Sequence, residues 1–412
     1  MTLVLSDELF DAQMLRALGH SPYEGANIGE CIETARRVTR IDGDLWYAEW
    51  MATARRLHAL ADSSAARGAT VSARGAYFRA SNYYRTAGIF LMGAPVDRRL
   101  VESNRLQIEA FRSGAALLEN PPDVLAIPFE NYTLPTYFFR AQRDGTKRPT
   151  LILTNGYDST VEEMYFANAA AALQRGYNVL AFDGPGQGSV LIEQGIPIRP
   201  DWENVARVVV DFALTLPEVD REKLALLGWS LGGYLAPRAA TGEHRLAACI
   251  SDCGPYDLYE ASAARIPEFV VRQMTSGKRL GRAIVRQLLS RAIKHPSRGW
   301  AMRRNLLVHG LDDPMDILSA VHDYTLKGRE QMIQCPTFVC TAENDDLSLK
   351  GARALYEALT CPKHFVMFKA ADGAGDHCEA AARTLFHQHA FDWLDEVLAN
   401  TNATAKQAAS VS

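Results

Sequence analysis

Over the first 118 residues the apolar positions recur at helical spacing. Residues 45–61 are dense in helix formers, and 73–91 set aromatics (Tyr77, Phe78, Tyr83, Tyr84, Phe90) among Arg and Ala, with Gly68 and Gly75 marking the break between these two helices. A third helix is predicted over 97–118 and is closed by Asn120-Pro121-Pro122. The aromatics read as core, and no fixed-period self-similarity marks a repeat array.

After Pro122 short apolar runs replace the helical pattern. Residues 127–140 read as a strand pair or one long strand. The run 149–154 reads as a compact strand, followed by Asn155-Gly156-Tyr157-Asp158 and a helix over 160–175. The strand 177–182 leads into Asp183-Gly184-Pro185-Gly186-Gln187-Gly188. A helix (201–216) and a buried strand (224–227) follow, then a helix over 234–240 and a strand (246–252) ending at Cys253-Gly254-Pro255. Strands alternating with helices of this length predict a parallel sheet covered on both faces. Between 256 and 332 the alternation stops, leaving helix-like segments. The basic stretch 278–304 reads as a solvated helix face. The sheet then resumes with strands at 337–341 and 364–369, separated by a helix over 348–359, and a C-terminal helix runs from His377 to about residue 398. The expected organisation is a helical N-terminal cap or dimerisation domain over 1–120 and an α/β domain over 121–412. The latter carries a helical insertion at about 256–332 that covers the site.

Composition narrows the function classes. At 412 residues there is room for one large α/β domain and a smaller unit, at roughly 150 residues per domain. A net charge of −4 with 22% charged residues gives no basic excess for nucleic acid. No run approaches the ~20 apolar residues of a membrane span, and Asp7 and Glu8 stand where a signal peptide would need a basic start and an apolar core. The seven cysteines are odd in number and form no C-x-x-C pair, so buried thiols in a reducing, cytoplasmic setting are expected. Zinc is disfavoured, and no metal and no cofactor are expected. The expected partner is a small-molecule substrate, with no nucleic acid and no membrane.

The chemistry gathers at Gly228-Trp229-Ser230-Leu231-Gly232, a G-x-S-x-G set between a buried strand and a helix. In this nucleophile-elbow pattern a sharp turn lifts the serine above the sheet at a helix N-terminus. Side chains two positions before and after it would strike the neighbouring strand and helix. A serine hydroxyl needs a base, and the base an orienting carboxylate, in the chain order serine, acid, histidine. Of the histidines after the strand 337–341, only His377 lies in a glycine-rich loop between a strand and a helix (residues 371–377), so it is the candidate base. Three carboxylates follow that strand. Asp345 is favoured as the acid, ahead of Asp346, which could instead cap the next helix with Ser348, and of Glu343. The oxyanion needs two N–H donors. Leu231 supplies one, and the loop after Thr154 the other, with Tyr157 ahead of Gly156. The Tyr157 and Asp158 side chains are expected to face the pocket. The Asp183–Gly188 loop reads as scaffold, since no helix is predicted directly after it. Tyr256-Asp257-Leu258-Tyr259-Glu260 leaves two readings open: Glu260 reaches the substrate as an acid/base group, or Asp257 and Glu260 form a capping box.

Several motifs together resemble the α/β-hydrolases related to 2,6-dihydroxypseudooxynicotine hydrolase, including fungal heptaketide and polyketide-cluster hydrolases. They are Trp46, Trp50, Tyr77–Arg85, Asn155-Gly156-Tyr157-Asp158, Asp183–Gly188, Gly228–Gly233 and Gly375-Asp376-His377-Cys378-Glu379, and the similarity spans about residues 40–395. The resemblance implies an α/β-hydrolase fold, a serine triad, a helical N-terminal cap and often a dimer, so a homodimer is expected. Several members hydrolyse a carbon–carbon bond beside a ketone, and in the nicotine-degrading relative an acidic cap residue, by position Glu260 here, assists. Other members are esterases, lactonases or cyclisation catalysts. The expected activity is a serine hydrolase acting on a ketide or aromatic ketone in secondary metabolism or catabolism. The alternatives are a carboxylesterase, lactonase or thioesterase, or an acyl-transferring cyclase of polyketide biosynthesis.

Overall fold

A computed structural model describes residues 3–409, with the backbone alone for 401–409. Five helices precede the sheet: α1 (Glu8–Leu18), α2 (Ile28–Arg37), α3 (Gly43–Ala66), α4 (Thr70–Gly88) and α5 (Arg98–Ala115). Asp7, Asn27, Asp42 and Asp97 begin α1, α2, α3 and α5, each side chain accepting from first-turn N–H groups. Such caps are worth about 1 kcal/mol apiece. The aromatics of this segment are buried. Trp46 packs edge-on to Phe10 (5.4 Å) and Phe90 (5.1 Å), and Trp50 edge-on to Tyr83 (5.4 Å). Their apolar cluster continues without a break into one side of the sheet, through Ile152, Leu180 and Trp202.

The sheet has eight strands: β1 (Asp123–Phe129), β2 (Tyr132–Phe139), β3 (Arg148–Thr154), β4 (Asn178–Phe182), β5 (Val219–Trp229), β6 (Ala248–Asp252), β7 (Thr337–Ala342) and β8 (Lys363–Phe368). Their order is β1-β2-β4-β3-β5-β6-β7-β8. The stretch 127–140 is thus a hairpin, turning at Glu130 (φ 50°). Only the β1–β2 and β2–β4 pairings are antiparallel. The remaining strands run parallel, so β3, β5, β6, β7 and β8 deliver the loops that follow them to one edge of the sheet. In open parallel sheets that edge is where ligands bind.

Between β6 and β7 the chain is helical apart from an isolated Asp257–Thr325 bridge, the pattern expected of an insertion. Most of its basic stretch is the solvated face predicted from sequence, with Lys278, Arg279, Arg286, Arg291, Lys294 and Arg298 exposed, although not every arginine stands free in solvent. Arg282, Arg286 and Arg303 bond to main-chain carbonyls or to Asp313, while Leu280, Ile284 and Leu288 are exposed. A spacing rule sees charge density, whereas tertiary contacts decide which side of each helix turns inward.

Candidate active site

Ser230 sits at the turn between β5 and the helix Gly232–Ala240 with φ 60°, a left-handed conformation that non-glycine residues adopt at a cost. The tightness of the turn explains its glycines. A Cβ on Gly228 would lie 1.7 Å from the Gly232 carbonyl oxygen, and one on Gly232 2.5 Å from that of Thr154 in β3. The Ser230 N–H is anchored on the Asp252 carbonyl (3.0 Å), leaving the hydroxyl above the strand ends.

Ser230 Oγ lies 2.9 Å from His377 Nε2, and His377 Nδ1 lies 2.6 Å from Asp345 Oδ2. Asp345 is buried, and it also accepts from Ser348 Oγ (2.5 Å) and from the Leu347 N–H (3.0 Å). Asp346 and Glu343 are exposed, and Glu343 pairs with Lys369. Burial by itself would lower the His377 pKa, but the Asp345 carboxylate outweighs it and holds the imidazole above its ordinary value, at about 9. The protonated form of the His377 ring is therefore stabilised.

Gly156 brings the β3 loop against the serine: a Cβ there would meet Ser230 Cβ at 2.9 Å and the Leu231 nitrogen at 3.1 Å. The Leu231 and Tyr157 N–H groups have no hydrogen-bond acceptor among the described residues; Leu231 follows Ser230, and Tyr157 follows the Gly156 that packs against it. The Tyr157 hydroxyl hydrogen-bonds His309 Nε2 (2.7 Å) at the end of the helix Trp300–His309, and Arg304 of that helix stacks 4.8 Å over the Tyr157 ring. Burial, aided by Arg304, drives the His309 pKa down to about 4, so its ring is neutral.

Two acidic candidates fall elsewhere than sequence suggested. Asp158 does not offer a free carboxylate to a pocket: Oδ1 accepts from Arg16 of α1 (2.6 Å) and Oδ2 from Arg304. Burial opposes its ionisation, yet the two guanidiniums hold the carboxyl well below the usual range. It is an anchor between α1, the β3 loop and the insertion. Glu260 does not reach the site. Its side chain is 63% exposed and pairs with Lys327, while its N–H is capped by Asp257 Oδ1 (2.8 Å). The capping reading holds at Asp257, and the helix it starts points Glu260 outward.

The Asp183–Gly188 loop needs a second correction. A five-residue helix, Gly188–Ile192, does begin directly after it. The site at its start is filled from within, because Asp183 Oδ2 accepts from the Ser189 N–H (3.3 Å) and Oδ1 from Asn155 (2.8 Å). The loop therefore still serves as scaffold.

Sequence reasoning missed a buried cluster under His377. Sulfur, nitrogen or carboxylate atoms of Cys253, His377 and Cys378, and of Asp252, Cys253, Cys340 and Glu379, lie within 4.8 Å of one another in each set. The carboxylates are already partnered. Arg383 Nη1 donates to Asp252 (2.7 Å) and Glu379 (3.3 Å), and the Cys253 and Cys340 thiols take the other oxygens. The adjacency of Cys378 and Glu379 to His377 was the available signal, but Arg383 and Cys253 join only through folding.

A strained serine at a strand–helix turn, hydrogen-bonded to a histidine and through it to a carboxylate at the C-terminal edge of a parallel sheet, defines an α/β-type serine site. Residues 151–397 match the alpha/beta hydrolase family, and the chain belongs to that family and is a hydrolase. It is 35% identical over 417 residues to the 20-hydroxy-prefusarin hydrolase FUS2 of Gibberella moniliformis, covering 97% of this chain and 99% of that one. It is also 35% identical to the hydrolase acrC of Aspergillus aculeatus, covering 94% and 96%. The crystal structure of 2,6-dihydroxy-pseudo-oxynicotine hydrolase superposes with a TM-score of 0.74 at 24% identity, over 92% of this chain and 95% of that one, and shows the same fold. Among the described residues no helix is long and apolar enough to cross a membrane.

Proposed function

We propose that Ser230, His377 and Asp345 form a Ser-His-Asp triad and that the Leu231 and Tyr157 N–H groups form the oxyanion hole. The observation that carries this reading is the continuous chain from Ser230 Oγ through both ring nitrogens of His377 to Asp345. His377 Nε2 takes the serine proton as Oγ attacks a substrate carbonyl, Asp345 fixes the tautomer, and the two N–H groups hold the tetrahedral oxyanion. Collapse returns the proton from His377 to the leaving group, and water then releases the acyl group by the same route. The relatives that act on 20-hydroxy-prefusarin and 2,6-dihydroxy-pseudo-oxynicotine support a substrate that is a ketide or aromatic ketone, with cleavage of the carbon–carbon bond next to the carbonyl. A carbon leaving group departs only when a β-keto or phenolic substituent stabilises it and a proton donor meets it, and here His377 is that donor.

The outward position of Glu260 favours a second reading, hydrolysis of an ester, lactone or thioester, whose leaving group needs no further acid. Wild-type and Ser230→Ala proteins treated with a fluorophosphonate, followed by intact mass, test the nucleophile. One adduct on wild type and none on the variant is expected, and equal labelling of both overturns the triad. Turnover of 1,3-diketones against p-nitrophenyl esters then separates the two bonds.

A further inference from the structure

A second set of buried polar groups lies just behind the β3 loop. Arg85 of α4 is 5% exposed, and none of its three side-chain nitrogens makes a hydrogen bond. Its one ionic neighbour is Glu163, 3.3 Å from Nη2. Ser159 is 3% exposed and its hydroxyl likewise has no partner. Both residues line the same internal cavity, walled by Ile89, Met92, Tyr157 and Asp158. Buried polar groups are normally satisfied, and each one left unmet costs on the order of 1–3 kcal/mol. These four atoms belong to two residues that line one cavity, and together they offer donors to an acceptor placed there.

The charge balance specifies that acceptor. Arg16, Arg85 and Arg304 surround only two carboxylates, Asp158 and Glu163. Arg16 spends its guanidinium on both, and Arg304 is bonded to Asp158. His20, which also touches Glu163, has its pKa lowered by burial and adds no compensating charge. One positive charge is left over in this cluster, and Arg85 is the member whose nitrogens make no hydrogen bond. About 30 Å³ of the cavity is open to water-sized groups. That exceeds the ~10–15 Å³ one water needs, yet it admits only the end of a larger molecule.

We propose that Arg85 and Ser159 bind a terminal carboxylate of the substrate, entering the cavity past Tyr157. A planar carboxylate matches the guanidinium fork, and the serine hydroxyl supplies a further donor. Ser159 is three residues past Gly156, which packs against Ser230, so the acid end is held on the same short loop as the proposed oxyanion donor Tyr157. The assignment of the carboxylate to a substrate rests on the serine-hydrolase reading, whereas the anion site itself does not.

Acetate and acetamide titrated into Ser230→Ala protein at constant ionic strength, set with chloride, test the site by calorimetry. Acetate is expected to bind at least about tenfold more tightly than acetamide, with Arg85→Gln and Ser159→Ala, each in the Ser230→Ala background, weakening acetate about tenfold or more. Equal affinity for the two ligands, or acetate binding unchanged in both variants, overturns the proposal. Using both variants keeps the test open if one fails to fold. In a second arm, wild type is given p-nitrophenyl monoesters of a dicarboxylic acid and their neutral methyl diesters. A kcat/KM preference of about tenfold for the free acid, lost in Arg85→Gln, supports the substrate assignment. Acetate binding with no such preference overturns it. Failure to turn over either ester, with acetate still binding, indicts the triad and not the anion site.

Discussion

Arg304 of the helical segment between β6 and β7 is bonded to Asp158, one residue past Tyr157, so an ion pair ties that segment to the loop beside Ser230. Arg16 of α1 completes the anchor from the other side (2.6 Å). Asp158→Asn leaves two largely buried guanidiniums without their shared carboxylate, and a loss of about 3 kcal/mol of stability is expected. Because its folded-state pKa is depressed, this contribution is fully present above about pH 4 and fades as pH falls below it. Thermal denaturation of wild type and variant between pH 3 and 8 checks both statements, with the gap between them narrowing at the acid end.

Gly156→Ala should slow the chemistry with little change in the fold's core. The new methyl would press on Ser230 Cβ and on the Leu231 nitrogen, and the β3 loop must retreat with the Tyr157 N–H. Loss of one oxyanion donor lowers kcat by about 10²–10³. A kcat within a few-fold of wild type on an activated ester would assign the second donor elsewhere.

The pH profile should be alkaline. His377 accepts a proton only when neutral, and its pKa is raised to about 9, so kcat/KM is expected to climb through pH 8–9 and then level. Asp345→Asn removes the carboxylate that raises it, leaving burial to dominate. The midpoint should fall while kcat drops by about 10⁴. Stability runs in the opposite sense: the raised pKa stabilises the fold below the unfolded imidazole value near 6.5 and is lost as pH rises through about 9. An unshifted midpoint in the variant would separate Asp345 from the titration.

Glu260→Gln should leave kcat and KM within about twofold of wild type, and stability within about 0.5 kcal/mol, as for surface positions generally. Its carboxylate faces solvent and Lys327. A tenfold loss of kcat on a ketone substrate would require the insertion to move during the reaction.

Features set by neighbours in the chain were legible in the sequence. Strand–helix alternation fixed the parallel sheet because covered strands must be apolar throughout. The glycines around Ser230 announced the elbow because no Cβ fits there, and the glycine-rich loop before His377 singled it out among the histidines near the C-terminus. At Asp257 the N-cap was one of two readings left open, and it was legible because a helix start is a contact across three residues. The direction in which that helix turns Glu260 was not, since packing of the insertion sets it. Asp158 met the same limit: its partners lie 142 and 146 residues away, and no local pattern ties Arg16 or Arg304 to it. The unmatched Arg85 is more remote still from sequence reasoning. An arginine on a helix is ordinary, and only the folded chain shows that its donors and the Ser159 hydroxyl open onto one cavity with one charge left uncompensated.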